Sequence, residues 1–326
     1  MNLLLLLLAA APAPLTVPEV DELEVVSLVD NFYDCFQKDE KCAVRHSLAH
    51  TQGFDSIRLQ AEMGLAYLVR ARVGAEWHTV LFDFGLSQGA YENNLGKLKL
   101  DLSKAEALVL SHAHEDHYAA LEWTAKKVPS APIYVGNAEA FLRRQFVSPK
   151  SSWDMGALNR AALEGSGKRV VEAPEPVVVA GSAVLSGRIE QATPFEKVPP
   201  FLKVEVKGKL VQETMAHELA VAYRVKGRGL VVLTSCAHSG VINTLNHFKK
   251  VTKQDKVLAV IGGFHLTSAP DEQVTKTVEA LVALKPDFVA PMHCTGNKAI
   301  EQLVQKLPEA YVHPGVGTRY TFSAAP

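Results

Sequence analysis

The stretch LVLSHAHEDHYAAL (residues 108–121) places three histidines and two acids in six consecutive positions, directly after an apolar run. EALVLS (106–111) predicts a buried strand, and YAALEWTAKKV predicts an amphipathic helix after it. A loop leaving a buried strand can direct alternate side chains into one pocket. Buried ionisable groups need partners, and imidazoles and carboxylates ligate divalent metals. We therefore expect a metal site here rather than a polar surface turn.

Four side chains of this stretch are candidate metal ligands, namely His112, His114, Asp116 and His117. Glu115 is expected to point outward or to form a hydrogen bond to one of the metal-ligating side chains. Four ligands in one turn cannot easily close on one ion, so further ligands should come from elsewhere in the chain.

Three later histidines share one setting, in which an apolar run stops at a small or polar residue. They are His238 in VLTSCAHSG, His265 in VIGGFHL and His293 in VAPMHCTG. One such histidine alone is more often structural, but the repetition favours a shared site. His217, at the start of a strand, is a further candidate for the pocket. His46, His50 and His313 are expected to be ordinary loop residues, and His247 to lie on a helix surface.

The composition of the chain is that of a globular protein with a sizeable core. The 326 residues are 48% hydrophobic and carry a formal net charge of -1. This balance gives no basic face for a nucleic acid, so we expect a small-molecule substrate. Beyond the N-terminus no apolar run is long enough to span a membrane. The sequence leaves the oligomeric state open.

The first residues, MNLLLLLLAAAPAPL, indicate a secretory signal. We assign residues 1–19 to it and residues 20–326 to one domain, in which residues 141–216 form a variable pocket wall. The protein is then periplasmic or secreted. The lack of an early Lys or Arg leaves a cytoplasmic location as the alternative.

The four cysteines fall into two pairs. We expect Cys35 and Cys42 either to form a disulfide, as an exported protein allows, or to be two unpaired surface thiols. Cys236 and Cys294 each stand beside a histidine and look like part of a site. One alternative mechanism makes Cys236 and His238 a thiolate pair, but it leaves the histidine cluster without a role.

The pattern along the chain predicts an α/β protein with two packed sheets and helices outside them. Strands are predicted at LEVVSLVDN (23–31) and HTVLFDFG (78–85), among others. YENNLGKLKLDLSKA is predicted to be a helix or a loop in solvent. From residue 217 onward, strands alternate with the helices VINTLNHFKKV, EQVTKTVEALVAL and KAIEQLVQKL.

HAHEDH after a strand resembles the metal-binding signature of the metallo-β-lactamase superfamily, and FDFG resembles its first conserved strand end. LVDN, LTSCAHSGVINTL, VIGGFHL, PMHCTG and GVGTRYTF together look like one branch of that superfamily. This branch is named for 7,8-dihydropterin-6-methyl-4-(ribofuranosyl)aminobenzene-5'-phosphate synthase. The resemblance implies a four-layer αββα sandwich with metals at the sheet edges.

The resemblance also implies ligand sets. His112 and His114 would hold one metal with His238, and Asp116 and His117 would hold a second with His293. Many members place an aspartate between the last two histidines to bridge the metals, and VIGGFHL has no acid there. His265 would then be a ligand or a substrate contact. Asp83 and Cys236 are additional site candidates. One or two divalent ions are expected, zinc first, with manganese or iron as alternatives.

We expect a metal-dependent hydrolase that uses a metal-bound hydroxide on a phosphoester or another ester. In this scheme Asp116 orients the water, and His265 stabilises the developing charge as a donor or proton shuttle. Two alternatives remain. The branch name suggests a pterin-related transferase or synthase, and the missing bridging acid suggests a metal-bound binding or sensor module without catalysis.

Overall fold

The computed structural model describes residues 15–165, 167 and 169–325. The leucine-rich run assigned to a signal peptide lies outside the described residues. Between Leu15 and Ala325, no described helix has the length and apolar character needed to cross a membrane.

The strands of the described chain, in order, are β1 (Glu19–Val20), β2 (Glu22–Val29), β3 (Ala43–Val44), β4 (Ala66–Val73), β5 (Glu76–Phe82), β6 (Ala105–Val109), β7 (Ile133–Val135), β8 (Arg144–Val147), β9 (Ser152–Gly156), β10 (Val170–Glu172), β11 (Val177–Val179), β12 (Ala183–Leu185), β13 (Leu202–Val206), β14 (Lys209–Gln212), β15 (Val221–Val225), β16 (Gly229–Leu233), β17 (Val257–Gly263), β18 (Phe288–Met292) and β19 (Arg319–Ser323). The α-helices are α1 (Gln88–Leu98), α2 (Glu115–Tyr118), α3 (Leu121–Lys127), α4 (Arg160–Gly165), α5 (Val241–Thr252), α6 (Asp271–Leu284) and α7 (Asn297–Lys306). Short 3-10 turns follow β7 and β18.

Two large sheets stack face to face and share one core. The first runs β10-β7-β6-β5-β4-β2-β19-β3, and the second runs β11-β12-β15-β16-β17-β18 with β1 added beside β15. Tyr67 and Val69 of the first sheet pack in the same cluster as Val231 and Ile261 of the second. The Tyr67 hydroxyl also donates to the Met292 sulfur at 3.4 Å, which joins the two sheets directly.

Helices cover the outer faces of both sheets. Alternate residues of β4 such as Leu68 point away from the central core and pack with Tyr91 of α1 and Leu121 of α3. On the other side, Val232 of β16 packs with Phe248 of α5. Because both faces of each sheet are covered, the strands read as nearly continuous apolar runs. The predicted four-layer αββα sandwich is confirmed.

Parallel strands decide where the polar loops meet. Strands β5, β6 and β7 are parallel in one sheet, and β16, β17 and β18 are parallel in the other. Their carboxyl ends lead directly into the segments that carry Asp83, His112, His238, His265 and His293. The histidines that are far apart in sequence are therefore brought to one edge of the stacked sheets.

Three sequence expectations need correction or refinement. The segment expected in solvent forms α1, whose Tyr91 and Leu95 are buried because the helix packs on β2. The helix expected after the histidine cluster is broken into α2 and α3. Cys35 and Cys42 are both free and half-buried, so the disulfide is not formed.

The region 141–216 has two structural roles. Strands β10 to β12 extend the two large sheets, whereas β8, β9, β13 and β14 form a separate four-stranded sheet. In this small sheet the fully buried Arg144 donates to Glu213 Oε1, directly after β14, at 2.7 Å and to the carbonyl of Leu142 at 2.7 Å, and its guanidinium lies 3.1 Å from His217 Nε2.

A substitution at Gly136, which directly follows β7, tests how closely this segment packs against His217. A Cβ there would lie 2.1 Å from the His217 carbonyl oxygen, so Gly136→Ala must displace backbone. We expect a loss of about 1–3 kcal/mol in the free energy of unfolding. Gly96→Ala in α1 is the matched control, since nothing lies within 4 Å of its Cβ, and it should hold or slightly raise stability. Denaturant unfolding of both variants measures the difference, and equal midpoints would refute the packing argument.

Candidate metal centre

The first donor group consists of His112, His114 and His238. One ligand atom from each lies within 4.8 Å of the others, and all three side chains are buried. His112 Nε2 and His114 Nδ1 are 3.1 Å apart. Neither ring nitrogen of His238 has a hydrogen-bond partner. Two imidazole nitrogens that face each other beside a third, unpartnered imidazole form an arrangement that a cation satisfies.

The second donor group consists of Asp116, His117 and His293. Asp116 Oδ2 lies 3.5 Å from His117 Nε2 and 3.3 Å from His293 Nε2. Asp116 and His117 lie on the short helix α2, whereas His293 follows β18 on the opposite sheet. The group therefore forms only when the two sheets are stacked.

Asp83 fixes the orientation of His117. It follows β5 at a positive φ of 61° and is fully buried. Its Oδ2 lies 2.9 Å from His117 Nδ1 and also accepts from the Ser111 and Ser235 hydroxyls. Because Nδ1 is held by the carboxylate, Nε2 is the nitrogen left for a metal. Asp83 thus acts on the site through His117.

The LVDN segment fixes His293. Asp30 Oδ1 accepts from the His293 backbone N–H at 2.9 Å, and Asn31 Oδ1 lies 3.0 Å from His293 Nδ1. Glu218 plays the same part for His238, because its carboxylate accepts from the N–H groups of His238 and Ser239 at 2.7 Å each.

The remaining candidates lie close to these groups. Cys236 is buried, and its Sγ is 3.2 Å from His117 Nε2; no hydrogen bond joins it to His238, as a thiolate pair would require. His265 has both ring nitrogens buried without a partner, and its ring centre is 4.1 Å from that of His238. His217 is buried against the Arg144 guanidinium at 3.1 Å and does not line the cavity described below.

The histidines of the two donor groups differ in their protonation states, and each state suits metal binding. Burial lowers the pKa of His112 and His238 well below its usual value, and lowers that of His114 as well. Burial acts in the same direction on His117, but the charge of Asp116 and the bonds to Asp116 and Asp83 raise the pKa of His117 to about 10. The first group is thus neutral near pH 7, whereas His117 has a proton to give up when it ligates.

A cavity of about 620 Å³ opens onto both groups. Its floor is formed by His114, Asp116, His238, His265 and His293, with the two cysteines Cys236 and Cys294. Its side is formed by the small sheet, where the Phe146 and Trp153 rings stack with centres 3.8 Å apart and Phe201 lies 4.8 Å from Phe146. We call these three rings the aromatic wall.

The donor set fits a divalent cation. Imidazoles and a carboxylate in two adjacent groups of three suit zinc and other borderline metals, and the unpartnered nitrogens of His238 need a cation or a donor. The sequence located every histidine of these groups. It gave no role to Asn31, Glu213, Glu218 and the aromatic wall. The LVDN segment offered a usable signal, because its Asp30 follows an apolar strand as Asp83 does in FDFG. No signal in the sequence pointed to Trp153.

The fold and the histidine groups define a metallo-β-lactamase-fold protein. Residues 59–185 match the family model described as the metallo-beta-lactamase superfamily. The solved structure of Tm1679, a metal-dependent hydrolase of the beta-lactamase superfamily, superposes with a TM-score of 0.71 at 21% identity, covering 92% of this chain and 99% of that one. YhfI from Bacillus subtilis, another protein of this fold, superposes with a TM-score of 0.52 at 14% identity, covering 93% and 100%.

Two relatives of similar sequence come from Methanocaldococcus jannaschii. The 7,8-dihydropterin-6-methyl-4-(β-D-ribofuranosyl)-aminobenzene-5'-phosphate synthase is 27% identical over 264 residues, or 78% of this chain and 89% of the relative. An uncharacterised protein is 27% identical over 241 residues, or 72% and 86%. The resemblance to the superfamily and to the branch that the sequence motifs indicated is therefore confirmed.

Replacing Asp83 by Asn tests how His117 is held. The amide keeps the shape but removes the charge, so in the metal-free protein the pKa of His117 should fall from about 10. Zinc affinity should fall about 10–100-fold. Nuclear magnetic resonance titration of the ring and chelator competition measure the two effects. Asp39→Asn is the control, since Asp39 pairs with His50 on the surface at 2.6 Å. A wild-type His117 that titrates near 6.5 would contradict this account.

Proposed function

We propose that this chain is a metal-dependent hydrolase of a phosphoester or another ester. The observation that supports it is the convergence of two donor groups, one of three imidazoles and one with Asp116, at the floor of a single cavity. A divalent cation bound there lowers the pKa of a bound water to about 7 and so supplies a nucleophile near neutral pH. Zinc is the proposed metal, because imidazole ligands dominate.

Asp116 is the proposed catalytic carboxylate. Burial acts to raise its pKa, but the charge of His117 and the hydrogen bonds from His117 and His293 hold the pKa of Asp116 well below its usual range. It therefore remains an acceptor throughout the working pH range. Since it lines the cavity, it can orient a water by accepting its hydrogen bond.

His265 is the proposed donor toward the substrate. It lines the cavity with both ring nitrogens free of protein partners. Burial lowers its pKa, but the charge of Cys294 outweighs this and leaves the pKa of His265 raised. A protonated imidazole in this position can stabilise negative charge that develops on the substrate or give a proton to the leaving group.

The aromatic wall favours a substrate with a planar ring beside the scissile bond. Trp153 lines the cavity, is 53% exposed and stacks on Phe146. Flat aromatic groups gain about 0.5–1.5 kcal/mol from such contacts beyond their buried area. We therefore propose an aryl or heteroaryl ester.

A second candidate is a synthase reaction on a pterin-like substrate. Two observations favour it: the name of the Methanocaldococcus jannaschii relative, which contains a dihydropterin, an aminobenzene ring and a phosphate, and the aromatic wall, which suits planar rings. Zinc-loaded protein with a panel of aryl phosphates and carboxylic esters separates the candidates. Hydrolysis supports the first, and inertness toward the panel with tight pterin binding supports the second.

His114→Ala should lose metal and turnover together. His114 supplies Nδ1 to the first donor group, so its removal leaves two imidazoles. We expect zinc stoichiometry to fall and turnover to drop by more than the roughly 10–100-fold that loss of an outer partner costs. His50→Ala, at an exposed surface histidine, should change neither. Full activity of metal-free His114→Ala would refute the proposed mechanism.

Trp153→Ala should change selectivity rather than chemistry. KM for an aryl phosphate should rise roughly 2–10-fold, because one stacking contact is lost. KM for a small alkyl phosphate should not change. Trp77→Ala is the matched control, since Trp77 is half-exposed on β5 beneath the Arg70 guanidinium and does not line the cavity. An equal rise in KM for both substrates would count against the ring-binding role.

A further inference from the structure

The end of β17 cannot carry a bridging carboxylate at either glycine. A Cβ at Gly262 would lie 2.2 Å from the Thr234 carbonyl oxygen. A Cβ at Gly263 would lie 2.4 Å from the Ser235 carbonyl oxygen and 2.8 Å from Cys294 Sγ. Strands β16 and β17 are therefore in such close contact here that the acid expected in this segment has no room. The Cys294 thiol occupies part of the space beside Gly263.

Cys236 is placed between the two donor groups. Its Sγ forms a ligand-distance group with His112 and His117, all within 4.8 Å of one another. His112 belongs to the first donor group and His117 to the second. Its Sγ also forms a separate group with His265 and Cys294. Cys236 Sγ therefore lies within ligand distance of one histidine from each donor group.

The loop that carries Cys236 is held in a costly conformation. Ala237 has a positive φ of 52°, which is unfavourable for a residue other than glycine. Glu218 fixes the next two backbone N–H groups. The buried nitrogens of His238, in the same loop, have no protein partner. The thiol of Cys236 and the unpartnered imidazole of His238 both line the cavity. A strained loop that presents such side chains is typical of a ligand site.

We infer that Cys236 is the anionic ligand shared by the two metal positions, in the place that a bridging aspartate takes in many members of the superfamily. On ligation, the thiol would lose its proton to solvent and would donate a sulfur lone pair to the cation. Cys294 Sγ and a ring nitrogen of His265 lie within 4.8 Å of this sulfur and line the same cavity.

A sulfur ligand changes which metals the site accepts. Thiolate donors favour zinc, cobalt and cadmium over manganese and magnesium, which prefer oxygen. The inference rests on the proposed metal centre, but it does not depend on ester hydrolysis. It can therefore be tested by spectroscopy alone.

The experiment is zinc K-edge X-ray absorption on the full chain loaded with zinc. Zinc–sulfur distances are about 2.3 Å and zinc–nitrogen distances about 2.0–2.1 Å, so the two shells are separable. We expect a sulfur shell in the wild-type protein. It should be lost in Cys236→Ser, which is close to the native side chain in size, and retained in Cys294→Ser and in the control Cys42→Ser. Cobalt-loaded protein should lose its sulfur-to-metal charge-transfer band in the same variant.

A wild-type spectrum with nitrogen and oxygen alone overturns the inference without reference to any variant. A sulfur shell that survives Cys236→Ser and disappears in Cys294→Ser also overturns it. If zinc–sulfur bonding is found but no ester is hydrolysed, the ligand assignment stands and the hydrolase proposal fails. If an ester is hydrolysed and the zinc has no sulfur neighbour, the hydrolase proposal stands and the ligand assignment fails.

Discussion

The site depends on one constraint, which is that buried imidazoles must have partners. Stacking the two sheets brings the carboxyl ends of their parallel strands together, and with them histidines that come from distant parts of the chain. Burial keeps His112, His114 and His238 neutral, so they cannot satisfy one another by forming ion pairs. A cation can satisfy all three at once, because it accepts their lone pairs together.

Buried carboxylates around this centre orient the ligands. Asp30 and Glu218 accept from the backbone of His293 and His238, and Asp83 holds His117. Burial raises the pKa of Asp30 to about 6 and that of Glu218 to about 7, and their backbone hydrogen bonds oppose the rise. These acids cost stability when they ionise. Their value is the fixed position that they give to each imidazole.

The sequence predicted the parts of the fold and site that depend on local pattern. Apolar runs predicted the strands, and histidines at the ends of those runs predicted one shared metal site. The family resemblance supplied the division of that site into two donor groups. The sequence could not show that Cys236 contacts His117 rather than His238, because this depends on how two loops from opposite sheets meet. The sequence also failed to predict the burial of α1, because the amphipathic pattern of this helix is weak and its burial comes from packing on β2. Trp153 is exposed in a strand with no buried pattern, so only the cavity reveals its place.

Side-chain contacts connect the aromatic wall to the histidines at the floor of the cavity. Glu213 accepts from Arg144 of β8 at 2.7 Å, and its other oxygen lies 3.7 Å from His114 Nε2. The same carboxylate therefore lies between the small sheet that carries Trp153 and His114 of the first donor group. Because an isolated buried charge is very costly, neither Arg144 nor Glu213 can change alone.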